Sequence, residues 1–185
     1  NAYREAVKYR ELYLVEHPGS HWIADILAHH KRDLASVVRA RQRRVEAEAI
    51  HRSGIDTLEK LTAEFPSSPV YRQPLAVFLV EDAGFLKELG RAAEAERCYR
   101  RAIAVFEGLA EDFPETSPSY YQSAFDQRVK LARFLQEGGD LAGAIRAYRD
   151  AIPTLPKLPK NVPGQYAHWA ALAQAVPYEL LVGRA

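Results

Sequence analysis

The sequence predicts an all-α fold assembled from repeated helix pairs, and three observations carry that expectation. Ala, Leu, Arg and Glu supply 82 of the 185 residues, whereas Val, Ile and Thr supply 24. β-branched residues suit a pleated, half-buried surface, so this balance excludes a sheet-dominated fold. Pro18, Pro66 and Pro114 stand 48 residues apart, and Pro163 follows 49 later. The segment from Glu46 to Pro66 also aligns without a gap to that from Glu94 to Pro114. Ala47, Ile55, Leu61 and Phe65 then match Ala95, Ile103, Leu109 and Phe113. A period of that length marks a repeat architecture.

Residues 1–17 align with the back half of a unit, so the chain is expected to open on the second helix of a truncated repeat. With no Met in the sequence, that suggests a piece of a longer polypeptide. Three units are expected over 18–65, 66–113 and 114–156, with a Pro-rich turn and an end helix over 157–185. Ser20, Ser68 and Ser117 share one register before the first helix of each unit, where a hydroxyl can accept from an orphan N–H. Pro69 and Pro118 follow at the start of the helix, where a missing N–H costs nothing. Pro74 should make its helix start late or bend. The first helices should end near Arg41, Gly90 and Gly139, the glycines taking the left-handed conformation that stops a helix. The second helix of the middle unit, Ala92 to Asp112, carries Ala95, Tyr99, Ala102, Phe106, Leu109 and Phe113 at helical spacing. At ~1.5 Å per residue it should run ~30 Å. Seven or eight helices and no strands follow. In the tail, Tyr166, Trp169, Ala173 and Val176 would share one helical face and close the array.

Within each pair, small residues let two helix axes approach while a large neighbour fills the groove. First helices carry Leu34-Ala35, Asp82-Ala83 and Leu131-Ala132. Second helices carry Ala95, Tyr99 and Ala102, then Ala144, Tyr148 and Ala151, with Ala47, His51 and Gly54 in the earliest unit. This pattern resembles the tetratricopeptide repeat family, in a long variant similar to repeats of the non-catalytic regions of bacterial signalling proteins such as Ser/Thr kinases. The resemblance covers roughly residues 20–156. Asp82 where the family has Leu, His51 for the aromatic and Gly54 for Ala are its departures.

The resemblance implies a right-handed solenoid whose first helices line a groove. His29, Arg32, Ser36 and Arg39 would project into it from the first unit. Val77, Val80, Gly84 and Lys87 would do so from the middle unit, and Asp126, Val129, Arg133 and Gln136 from the last. Arg32, Ser36, Arg39, Lys87, Lys130 and Arg133 are thus the candidate binding residues, forming a mildly basic groove. Such a groove suits an acidic or C-terminal peptide. The family's carboxylate clamp, Lys paired with Asn, is not reproduced.

Chemistry sought elsewhere gives little. His30-Lys31-Arg32-Asp33 lacks the Asn that a kinase catalytic loop needs, Val38 standing there, and no Gly-rich phosphate loop exists. His29 and His30 point about 100° apart on a helix and cannot share an ion as an i, i+4 pair would. Cys98, the single cysteine, is expected to be a small buried residue and fits a reducing cytoplasm. Carboxylate pairs Glu46/Glu48, Glu94/Glu96 and Glu111/Asp112 recur with the repeat, as solvated helix faces do. No enzymatic activity, cofactor or metal is expected. The basic run Arg39, Arg41, Arg43 and Arg44 is followed at once by Glu46 and Glu48, and a nucleic-acid site would want a wider stripe with aromatic stackers. With 25 basic and 24 acidic side chains, no whole-molecule field draws nucleic acid or membrane. No run reaches the roughly 18 apolar residues of a membrane span. The expected role is a protein–protein interaction scaffold within a larger bacterial signalling protein. The alternatives are a structural spacer with no ligand of its own and, behind it, a nucleic-acid-binding helical repeat.

Overall fold

A computed structural model describes residues 2–157, and the expected end helix lies outside the described residues. Every regular element described is helical. In order they are α1 (Ala2–Glu16), α2 (His21–Ala40), α3 (Arg44–Glu64), α4 (Pro69–Glu88), α5 (Ala92–Asp112), α6 (Ser117–Glu137), α7 (Leu141–Ala151) and a 3₁₀ turn, Ile152–Lys157. In the first unit α1 packs on α2, α2 on α3 and α3 on α4, and in the second α6 packs on α7 and both meet the 3₁₀ turn. The chain divides into two compact units, the division falling between Cys98 and Tyr99 inside α5. Each unit is described by itself.

Three helix ends share one local mechanism. Gly90 and Gly139 have φ of 73° and 86°, and Gln42, in the same register, has φ of 62°. The amide of the following residue (Arg43, Arg91 or Asp140) reaches back to Val38, Leu86 or Leu135. The left-handed residue itself donates to Arg39, Lys87 or Gln136. Each end is thus a paired closure that satisfies two orphan carbonyls. Glycine adopts that conformation without strain, whereas Gln42 carries a Cβ into it.

The helix starts depart from expectation. Ser20 and Ser68 occupy the cap positions, but neither hydroxyl makes a cap hydrogen bond. At α6 the cap is Thr116, so Ser117 is the first helical residue. Thr116 turns its hydroxyl back to the Phe113 carbonyl instead. Before α7, Asp140 does cap, accepting from the Gly143 amide at 2.8 Å. Helix α4 starts on time at Pro69 with Pro74 inside it.

In the first unit, Leu34, Ala35, Val38, Ala47 and Phe85 form a buried cluster, with Val7 and Ile50 packed against it. Helices α2 and α3 run antiparallel and close together. A Cβ built on Gly54 would lie 3.2 Å from the Ala28 carbonyl oxygen and 3.1 Å from Phe78 Cε1. In the second unit the cluster is Ile103, Leu131, Ala132, Leu135, Ala144 and Ala147, with Tyr99, Phe134 and Tyr148 against it. Ala95, Ala102, Ala144 and Ala151, the expected close-approach positions, are all buried. The alanine excess is therefore a packing requirement: a larger residue would push the axes apart.

Candidate interaction face

The candidate residues separate into two groups. Arg32, Ser36 and Arg39 lie along α2 and Lys87 lies on α4, all in the first unit. Lys130 and Arg133 are exposed on α6, in the second. On α2, Arg32 and Arg39 are seven residues apart, about two turns and ~10 Å along the axis. On α4, Phe78 and Phe85 have the same spacing, so the two helices meet in two matching rungs. The Arg32 guanidinium carbon lies 5.4 Å from the Phe78 ring centroid, and that of Arg39 lies 4.7 Å from Phe85. His29 meets the edge of Phe78 at 5.5 Å. A cation over an aromatic face gains ~0.5–1 kcal/mol at an exposed site, and it holds the planar fork in a fixed plane. Around the rungs, Ser36, Val77 and Lys87 are exposed, and Gly84 has open space where a side chain would be.

The face is less basic than a count of arginines suggests. Arg39 engages both oxygens of Glu88, and its hydrogen bond holds that carboxyl below the usual range. Arg44 also points at Glu88, 4.0 Å away. Arg43 and Arg4 both meet Glu46. The basic run is thus largely matched by glutamates of the same unit. Arg32 retains an ion pair with Asp33 at 3.5 Å. Val129, expected to project into the groove, is instead buried at 8% exposure. It faces inward with Phe125 and Ala132, its neighbours one turn away.

Two further arrangements were not foreseen as such. Lys31 is 8% exposed. Its ammonium donates to Ser53 Oγ at 2.8 Å and meets Glu11 Oε1 at 3.0 Å, tying α1, α2 and α3 together. The second arrangement gathers His51, Glu81, Asp82, Arg52 and Cys98 from α3, α4 and α5. His51 and Asp82 are 0% and 2% exposed. His51 Nε2 lies 3.2 Å from Glu81 Oε2, and Nδ1 lies 3.7 Å from Asp82 Oδ1, an ion-pair rather than a hydrogen-bond distance. Arg52 meets Asp82 Oδ2 at 3.5 Å, and the Cys98 thiol donates to the same oxygen at 3.5 Å. Burial works against charge on both His51 and Asp82, yet each is outweighed by its partners. Asp82 and Glu81 hold the imidazole above its ordinary value, while His51 and Arg52 hold the carboxyl below its own.

Cys98 is buried, as expected, with its thiol on the Asp82 carboxylate. Among the described residues, no three His, Cys, Asp or Glu side chains are arranged to hold a metal ion. The recurring carboxylates sit on arginines: Glu48 on Arg52 and Arg91, Glu94 on Arg91 and Arg97. In the second unit, α5, α6 and α7 line a cavity of about 160 Å³ that includes Ile103, Leu131 and Ala147. Arg128 and Glu107 pair beside it, leaving room for a few waters. No helix among the described residues is long and apolar enough to cross a membrane. No protein-family model matches this chain, and no curated protein matches it.

Proposed function

We propose that the chain is a non-enzymatic protein–protein interaction module of tetratricopeptide type, a regulatory segment of a larger bacterial signalling protein. It receives an acidic protein or peptide segment on the face of the first unit that contains Arg32, Ser36, Arg39 and Lys87, and Lys130 and Arg133 on α6 are the proposed binding residues of the second unit. The observation that carries this reading is the pair of arginine rungs. Guanidiniums already laid on Phe78 and Phe85 lose less freedom on binding than free side chains would, which lowers the cost of capturing a carboxylate. Glu88 supports it further, because Arg39 already grips a carboxylate with both donors in the fork geometry such recognition needs. Glu88 then acts as an internal competitor that a partner must displace.

The test pans a randomised peptide library against the chain and measures affinity of the selected peptides by fluorescence anisotropy. Asp/Glu enrichment is expected. Arg32→Glu with Arg133→Glu should weaken binding about tenfold or more, since a charge-assisted hydrogen bond contributes ~1.5–3 kcal/mol. Glu88→Gln should tighten it. Unchanged affinity in the charge-reversed variant, with circular dichroism intact, removes this face from the reading.

One observation favours a second reading, a structural spacer. Arg4, Arg39, Arg43, Arg52 and Arg91 each bridge to a carboxylate of the same unit. A spacer requires no selected peptides at all, and its exposed charges should be interchangeable.

A further inference from the structure

Four positions of the repeat change together at one helix pair. Where α1 and α2 carry Tyr3, Ala6, His30 and Leu34, and α5 and α6 carry Tyr99, Ala102, Gln127 and Leu131, helices α3 and α4 carry His51, Gly54, Phe78 and Asp82. The structure explains the coupling. Phe78 is fully buried and occupies the space that a Cβ on Gly54 would enter. His51 stacks on Phe78, ring centroids 5.3 Å apart at 25°, and leans on Phe85 at 5.0 Å. Its two nitrogens are thereby aimed at Glu81 and Asp82. In the second unit the corresponding Tyr99 packs on the cluster that contains Leu131. An apolar contact there is an ionic one here.

We propose that the α3–α4 contact is a protonation-gated joint, closed while His51 carries both ring protons and loosened when one is lost. The geometry favours two protons: Nε2 lies within hydrogen-bond distance of the Glu81 carboxylate, and the buried Nδ1 faces the Asp82 carboxylate at 3.7 Å, and both carboxylates only accept. A neutral imidazole has one N–H, so one lone pair would be set against a carboxylate where no water reaches. The other ionisable groups around the ring are Glu48 and Arg52 on α3, Glu81 and Asp82 on α4, and Cys98 on α5. Arg91 stands just before α5, and Lys31, Arg32 and Arg39 come from α2. Arg52 offsets part of the Asp82 charge, but no second cation is placed at the His51 nitrogens.

The direction follows from linkage. His51 is held above 6.5 in the folded chain, so its contribution is complete below that value and lost as pH rises through the folded value. Asp82 is held below 3.8, so its contribution is present above that value and lost as pH falls through the folded one. The joint is therefore tightest in the mildly acidic range. Each unit of separation between folded and unfolded values changes the folding constant tenfold.

The test uses the full chain. His51 is titrated by NMR, its ring signal assigned by absence in His51→Gln, and amide exchange of α3 and α4 is followed from about pH 6 to pH 9 after correction for the intrinsic rate. Expected are a His51 midpoint above 6.5 and loss of protection in α3 and α4 but not in α6 and α7. His51→Tyr with Asp82→Leu, which restores the residues of the other pairs, should abolish the pH dependence. The wild-type titration stands even if that variant fails to fold. A midpoint at or below 6.5, or α3–α4 protection that does not change with pH, would overturn the proposal.

Discussion

Two glycines inside helices should respond oppositely to the same substitution. In a helix interior, Gly→Ala is favourable by ~1 kcal/mol, because glycine loses more backbone freedom on folding. At Gly84 nothing lies within 4 Å of the added methyl, so Gly84→Ala should realise most of that gain, ~0.5–1 kcal/mol. At Gly54 the methyl meets Phe78 Cε1 at 3.1 Å and the Ala28 carbonyl oxygen at 3.2 Å. Carbon pairs are most comfortable at about 3.5–4.0 Å. The Phe78 ring is held by His29 and His51, and the carbonyl belongs to the backbone of α2, so neither yields readily. Overpacking of this kind costs ~1–3 kcal/mol. After the propensity gain is subtracted, Gly54→Ala should destabilise by about 1 kcal/mol, and the two variants should differ by ~2 kcal/mol. Urea unfolding by circular dichroism measures the difference, and native-state hydrogen exchange in α2 and α3 locates it. If Gly54→Ala stabilises as much as Gly84→Ala, the close approach of α2 and α3 is wrong.

Other expectations concern the helix ends. Gln42→Gly should raise stability by ~0.5–1 kcal/mol, because Gln42 bears a Cβ at φ of 62° where glycine meets no penalty. An unchanged urea midpoint would show that this closure is not strained. Ser20→Ala and Ser68→Ala should cost less than ~0.5 kcal/mol, because neither hydroxyl caps, whereas Asp140→Ala should cost ~1 kcal/mol. Equal losses at all three sites, read from the same unfolding curves, would restore the serines as caps.

The legible features were those whose cause is local or repeated. Gly90 and Gly139 stop helices through their own backbone freedom, so their chemistry is visible in a few residues. Ala95, Tyr99 and Ala102 recur at fixed spacing, and the recurrence exposes a packing demand before the packing is known. The serine caps were misread because capping needs the side-chain oxygen turned toward the amide, as at Asp140, and residue type alone does not ensure that. Val129 was misassigned because a register carried over from a family says which side a position tends toward, not how deeply it sinks.

By itself the sequence determined the helical class, the period, the helix limits within a residue or two and the places where axes must approach closely. Those follow from backbone preference and from small residues at regular spacing. Only tertiary structure decided which charges meet. Arg39 finds Glu88 and His51 finds Asp82 because stacking brings α2 and α3 against α4, and ionic partners 49 and 31 residues apart leave no mark in local composition. The departures at His51, Gly54 and Asp82 were each visible in the chain. That they are one compensated set, organised around Phe78, emerges when the helices are placed side by side, because the compensation is of volume and charge in a shared interior.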